Sequence, residues 1–160
     1  MSVMSAPYRS VDPYLDTHVI DSRGPRTNQA IVGVGALLAF LLQQEWIVVL
    51  LALQLIVGLT LGRRFCLPCR LWFDVLQPRL GEGAIEDARV PRFANVIGAV
   101  FLTASSVLLY AGYSTLGWAL ALIVAALALL ATVTGLCVGC ELYMLLARAR
   151  GIAVDRHPAV

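Results

Sequence analysis

Residues 116–140 have the sequence LGWALALIVAALALLATVTGLCVGC, in which a long uncharged apolar run leads into a Cys-x-x-Cys pair. A helix that crosses a bilayer needs roughly 20 apolar residues. The run from 116 to about 138 meets that length and contains no charged side chain. It therefore predicts a membrane-spanning helix that ends at a pair of thiols.

Three further apolar segments precede this run: residues 30–42, which could begin nearer Thr27, residues 46–61 and residues 93–112. The polar breaks between them, Gln43-Gln44-Glu45 and Tyr113-Ser114-Thr115, are long enough only for tight turns. The first two segments are short for a span, so a re-entrant pair is the alternative. The chain is 59% hydrophobic and 14% charged, whereas soluble domains carry about 25% charged residues. We predict four membrane-spanning helices in two antiparallel hairpins.

The arginines decide the expected orientation. All twelve basic residues are arginine, and they lie in the N-terminal tail, in residues 63–92 and in the C-terminal tail. Four crossings would place these three regions on one side, and arginine near short loops marks the cytoplasmic face. We therefore expect a multi-pass protein of the cell membrane with both termini in the cytoplasm. No long basic run suggests a nucleic-acid partner.

An internal repeat relates the two hairpins. Residues 21–26 and 87–92 share the pattern Asp-x-Arg-x-Pro-Arg, and each hairpin ends in Cys-x-x-Cys, a charged residue, Leu and an aromatic residue. Both copies would enter the membrane from the same side, which makes this a parallel repeat about an axis along the membrane normal. An apolar stripe at residues 71–76 predicts a short interfacial helix that ends before Pro78, with a counterpart at residues 141–150.

The predicted fold is an all-α integral membrane four-helix bundle, built from two parallel-repeat helical hairpins that are each followed by a short interfacial helix. Residues 1–26 would form a cytosolic tail, and residues 27–150 would form the four-helix domain. Within it, repeat 1 covers about 21–80 and repeat 2 about 87–150. Residues 151–160 would form a second cytosolic tail.

The candidate site consists of the four cysteines, Cys66, Cys69, Cys137 and Cys140. The cytosol keeps thiols reduced, so a permanent structural disulfide is not expected there. In the first interpretation each pair is a redox dithiol, because a helix start lowers the pKa of the leading thiol, Cys66 or Cys137. Arg63, Arg64 and Arg70 would further favour a thiolate at Cys66.

Two alternatives stay open for these cysteines. All four sulfurs could bind one zinc ion or an iron–sulfur cluster, although 68 positions (137 − 69) separate the pairs, far more than is usual. The cysteines could instead be small packing residues, since Gly135 and Gly139 flank Cys137 as a small-residue helix face.

The residues EDARVPRFA at 86–94 and GLCVGC at 135–140 resemble an uncharacterised bacterial membrane family, domain of unknown function 4395. The resemblance covers roughly Asp21 to Arg150. It implies that the second cysteine pair is the commoner one and that the Cys66 and Cys69 pair marks an actinobacterial branch. It also implies genes encoded beside thioredoxin-like proteins and sulfurtransferases, which favours redox or sulfane-sulfur chemistry.

Our leading hypothesis is therefore a membrane-bound thiol–disulfide or sulfane-sulfur relay protein that works with a cytosolic thioredoxin-like or rhodanese-like partner. It needs no cofactor, contacts membrane lipid and is compatible with an oligomer. One alternative is a non-enzymatic membrane protein with a four-cysteine zinc or iron–sulfur site. Another is a small subunit of a transporter for a sulfur species, with the thiols as transient carriers.

Overall fold

The fold is all-helical apart from one small strand pair, as a computed structural model describes it for residues 18–81 and 83–151. The predicted tails at residues 1–17 and 152–160 lie outside the described residues. The helices are α1 (Arg23–Leu42), α2 (Glu45–Thr60), α3 (Leu67–Arg70), α4 (Gln77–Leu80), α5 (Arg89–Tyr110), α6 (Ser114–Thr134) and α7 (Val138–Ala149).

Three of these helices, α1, α5 and α6, are long and apolar enough to cross a membrane. Helix α2 is also apolar but has only 16 residues. Helix α1 begins at Arg23, before the predicted start at residues 27–30. The earlier start follows from two residues: Pro25 is tolerated in a first helical turn, and the Asp21 carboxylate accepts the Arg23 backbone N–H at 2.9 Å.

The two predicted tight turns are confirmed. Helix α1 ends at Leu42 and α2 begins at Glu45, while α5 ends at Tyr110 and α6 begins at Ser114. Gln43 adopts a left-handed conformation with φ of 53°, which closes the first turn. Helix α1 packs on α2 and α6, and α5 packs on α2, α6 and α7. The core between them is built from alanine, valine and leucine, including Ala36, Val48 and Leu102.

The predicted short helix after the first cysteine pair continues further than expected. It runs from α3 through a π-helical stretch (Leu71–Leu76) into α4, so the prediction that it ends before Pro78 is wrong. Proline has no N–H and normally interrupts an α-helix. Here the chain widens just before it, because the Gln77 N–H bonds to the Trp72 carbonyl five residues back. Pro78 follows as the second residue of α4.

A two-stranded antiparallel sheet, which the sequence pattern did not predict, joins the two halves of the chain. Strand β1 (Val19–Asp21) precedes α1, and β2 (Ile85–Asp87) precedes α5. The register pairs Val19 with Asp87, Ile20 with Glu86 and Asp21 with Ile85. The starts of α1 and α5 are therefore tied together at the end of the helices that carries the cysteine pairs.

Candidate functional site

The two leading cysteines occupy the same backbone position. Cys66 is the N-cap of α3 with φ −78° and ψ 103°, and Cys137 is the N-cap of α7 with φ −90° and ψ 111°. Each cysteine carbonyl accepts the first helical hydrogen bond, from the Arg70 N–H at 3.0 Å and from the Glu141 N–H at 2.9 Å. The expectation that each motif opens a helix is confirmed.

The first pair is an oxidised, buried pair. Cys66 and Cys69 form a disulfide with a Cα–Cα distance of 5.2 Å. Cys66 is 6% exposed and Cys69 is 9% exposed. They pack in a small apolar cluster with Ile20, Trp72 and Phe73. Gly58 of α2 lies against Cys66, where an added Cβ would be 3.3 Å from the Cys66 Cβ.

The second pair consists of two thiols, which are not joined by a disulfide. Cys137 and Cys140 are half-buried. The Gln29 amide donates a hydrogen bond to Cys137 Sγ at 3.1 Å. A hydrogen bond from the Cys140 side chain, aided by the backbone N–H groups of Cys140 and Gly139 and by Gln29, lowers the pKa of Cys137 from 9.0 to about 6, although burial acts against it.

The charged residues around the pairs do not all behave as expected. Arg70 forms an exposed ion pair with Asp74 at 3.2 Å, one helical turn along. Arg64 lines a cavity beside the first pair. The side chain of Arg63 lies outside the described part. Asp87 accepts hydrogen bonds from the Arg89 side chain, which lower the pKa of that carboxyl despite its partial burial.

The first cysteine pair borders one cavity, and Cys137 of the second pair borders another. The first, which we call the arginine cavity, has a volume of about 680 Å³ and is lined by Cys66 and Cys69. The second, which we call the apolar cavity, has a volume of about 170 Å³ and is lined by Cys137. The two share three lining residues, Asn28, Leu55 and Asn95.

A chain of three amide side chains lies between these cavities, and no role was predicted for it from the sequence. Gln54 of α2 donates to the Asn28 oxygen at 2.9 Å, and Asn28 of α1 donates to the Asn95 oxygen of α5 at 3.2 Å. Asn28 is 1% exposed. The sequence does contain a signal for these residues, because an amide side chain inside an apolar helix usually has a hydrogen-bond partner within the bundle. Gln54 is a polar residue within the otherwise apolar segment at residues 46–61.

Within residues 18–81 and 83–151, no group of three or more His, Cys, Asp or Glu side chains is arranged to hold a metal ion. The four cysteines therefore stay as two pairs and are not gathered into one ligand set. Gly139 does make the close helix contact that the packing interpretation expected, since an added Cβ would lie 2.9 Å from the Ala94 Cβ. Gly135 instead ends α6, with φ of 75°.

These features define a helical protein with apolar helices long enough for a membrane and two Cys-x-x-Cys pairs at helix starts. The family model described as Domain of unknown function (DUF4395) matches residues 20–148. The chain belongs to this family. No curated protein and no solved structure matches the chain.

Proposed function

We propose that the chain is a membrane-bound thiol–disulfide or sulfane-sulfur relay protein. The observation that carries this proposal is the state of the two cysteine pairs at equivalent helix starts. Cys66 and Cys69 are joined, whereas Cys137 is a thiol with a pKa of about 6, well below the value of 9.0 for an unperturbed group. A thiolate populated at neutral pH is the attacking species in thiol exchange.

The exposure of the pairs favours the second as the one that meets a protein partner. Cys137 and Cys140 are half-buried, whereas the first pair is nearly inaccessible. We therefore assign the attack to Cys137 and the resolving step to Cys140. A cytosolic thioredoxin-like or rhodanese-like protein is the proposed partner.

We further propose that the fold is a four-crossing bundle made of two parallel repeats. The strand register supports this arrangement: Ile20 pairs with Glu86, 66 positions away (86 − 20), and the Asp-x-Arg-x-Pro-Arg elements are also 66 apart (87 − 21). A two-fold axis through that pair would exchange α1 with α5 and α2 with α6. The same operation exchanges the α1–α6 contact with α2–α5, and α1–α3 with α5–α7, and all four contacts are present.

Helix α2 is short for a membrane crossing, since its 16 residues span about 24 Å at 1.5 Å per residue and the hydrocarbon core is about 30 Å thick. A short helix is accommodated by local thinning of the bilayer. With four crossings, the arginine-bearing ends share one face, which the positive-inside rule places in the cytoplasm. Both cysteine pairs would then lie at the cytoplasmic surface of the cell membrane.

Trapping tests the relay. Thiol exchange passes through a mixed disulfide, so loss of the resolving cysteine should preserve it. We expect Cys140→Ser, produced in its native host, to accumulate an adduct that reductant releases and that contains a thioredoxin-like or sulfurtransferase protein. Cys137→Ser and the double variant Cys137→Ser/Cys140→Ser should give none. If Cys140→Ser gives no adduct at normal abundance, the relay assignment is wrong.

A further inference from the structure

The arginine cavity is a positively charged chamber with a disulfide in its wall. Its lining includes Arg64, Arg89, Arg92 and His18, and none of the described residues that line it is acidic. Its volume of about 680 Å³ falls in the range of small-molecule sites, about 300–1,000 Å³. Size and charge together favour a small anion as the occupant.

The arginines differ in how much charge they present to an occupant. Arg89 is paired with Asp87, whose carboxylate lies 2.6 Å from one guanidinium nitrogen. Arg92 donates to the carbonyl of Leu59 at 3.3 Å, which is a neutral acceptor and leaves the positive charge in place. Of these two arginines, Arg92 is therefore the one whose charge should matter more to an anion in the cavity.

The burial of the disulfide decides which kind of thiol reaches it. An attacking sulfur must approach one of the two sulfurs directly. With Cys66 and Cys69 at 6% and 9% exposure, a cysteine fixed on the surface of a folded protein is obstructed by the surrounding cluster. A small thiol that enters the cavity comes next to the pair, because both cysteines line it.

We propose that the arginine cavity binds a small anionic thiol, or the disulfide of that thiol, and exchanges it with the Cys66–Cys69 pair. This inference rests on the proposed relay function and names the substrate class of its buried pair. The half-buried second pair would serve the protein partner, so the two pairs would have different partners.

The exchange balances without a further reactant. The thiolate RS⁻ attacks one cysteine sulfur, the Cys66–Cys69 bond breaks and the other cysteine leaves as a thiolate. A second RS⁻ attacks the mixed disulfide and releases RSSR and the second cysteine thiolate. In total, two RSH molecules lose two electrons and form RSSR, and the protein disulfide gains these two electrons. The two protons pass to the cysteines. The reverse sequence oxidises the pair with RSSR.

The test compares thiols of different charge on the full-length protein in nanodiscs of zwitterionic lipid. The probes are 2-mercaptoethanesulfonate (anionic), 2-mercaptoethanol (neutral) and cysteamine (cationic). Alkylation and peptide mass spectrometry measure the rate at which each thiol reduces the Cys66–Cys69 disulfide. To remove differences in intrinsic reactivity, each rate is divided by the rate of the same thiolate on a small uncharged disulfide. A cleft of one charge raises the local concentration of an opposite ion by about tenfold or more. We expect the anionic thiol to be favoured over the cationic one by at least about that factor.

Variants assign the preference to the cavity. Arg92→Gln should remove most of the preference for the anionic thiol, whereas Arg79→Gln should retain it, because Arg79 is exposed and does not line the cavity.

Equal normalised rates for the three thiols, or a preference that survives Arg92→Gln, would overturn the substrate class and leave the relay intact. Nanodiscs of anionic lipid lower the rate of the anionic thiol on both proteins through their surface charge. Equal preferences of the wild type and Arg92→Gln in that lipid would identify a lipid phosphate as the occupant and would also overturn the substrate class. A disulfide that resists every thiol would refute both the inference and a redox role for this pair.

Discussion

At the scale of single residues, the two motifs differ at the position before the second cysteine. Gly139 supplies a backbone N–H to the Cys137 sulfur, and the equivalent residue in the first motif, Pro68, has no N–H to give. Cys137 also receives the Gln29 amide at 3.1 Å. The same backbone geometry thus provides an amide donor to Cys137 that Pro68 cannot provide to Cys66. This difference favours Cys137 as the thiolate, although the arginines near Cys66 had suggested the reverse.

The pH dependence of alkylation should report this environment. Because the pKa of Cys137 is lowered to about 6, its thiolate fraction rises through pH 6 and is nearly complete at pH 7.5. The rate of Cys137 alkylation by iodoacetamide should follow that curve, whereas an unperturbed thiol would still be mostly protonated. Cys140→Ala removes the largest stabilising hydrogen bond and should move the midpoint toward 9.0, and Gln29→Leu should move it less. An unchanged midpoint in Cys140→Ala would contradict the assignment of that bond.

The positions of the thiols could be predicted from the sequence, but their surroundings could not. A Cys-x-x-Cys pair before an amphipathic segment indicates a helix start, and the leading cysteine of each pair, Cys66 or Cys137, is indeed an N-cap. The burial of Cys66, the bond from Gln29 and the approach of Gly58 depend on contacts between residues far apart in the chain. No local pattern carries those contacts. The separation of the pairs into two cavities is likewise a consequence of the tertiary arrangement.

At the scale of elements, α7 is held against α5 by a close contact. An added Cβ at Gly139 would lie 2.9 Å from the Ala94 Cβ and 3.0 Å from its Cα, so the helices meet where neither carries a large side chain. The aromatic rings of Phe93 on α5 and Tyr143 on α7 also contact each other at this interface, with their centroids 5.4 Å apart. The contact fixes the start of α7 and therefore the amides around Cys137.

A compensating pair of substitutions tests this interface. Gly139→Ala should destabilise the protein by about 1–3 kcal/mol, because an extra methyl group overpacks the contact with Ala94. Ala94→Gly in the same chain should recover part of that loss, because it removes the Cβ contact at 2.9 Å but leaves the Ala94 Cα 3.0 Å from the added Cβ. Ala94→Gly alone should have a smaller effect. Denaturant unfolding in detergent measures the free energy of unfolding of the four proteins. Additive losses in the double variant would show that the two positions do not contact each other.

Element boundaries could be predicted where local chemistry sets them. The positions of both interhelical turns were predicted to within a few residues by the polar breaks Gln43-Gln44-Glu45 and Tyr113-Ser114-Thr115. The helix beyond Pro78 could not be predicted from proline's usual effect, because the π-helical bond from Gln77 to Trp72 changes the geometry before the proline. The three-residue strands were also missed, since so short a strand depends on its partner 66 positions away.

At the scale of the whole molecule, the strand pair and the helix contacts place both cysteine pairs near one end of the helices. Asp21 illustrates how the halves are joined there: its carboxylate accepts the Gly83 N–H at 3.1 Å and the Trp72 indole N–H at 3.4 Å. One buried carboxylate thus links β1, the π-helical stretch and the segment before β2. The proposed symmetry would make this end a single surface that presents a small-molecule cavity and an accessible dithiol side by side.

The orientation of that surface is the last prediction, and it follows from the arginines. Each of the two interhelical turns contains no arginine, whereas the opposite end carries Arg64, Arg70, Arg89 and Arg92. Since arginine near short loops stays in the cytoplasm, the turns should face outward. In a background in which the four native cysteines are serine, a cysteine placed at Gln44 or Ser114 should react in intact cells with a membrane-impermeant maleimide. A cysteine at Arg79 should react only after the cells are opened. Labelling of Arg79→Cys in intact cells would reverse the orientation, and labelling of Ser114→Cys without Gln44→Cys would mean that α1 and α2 form a re-entrant pair that does not reach the outer face.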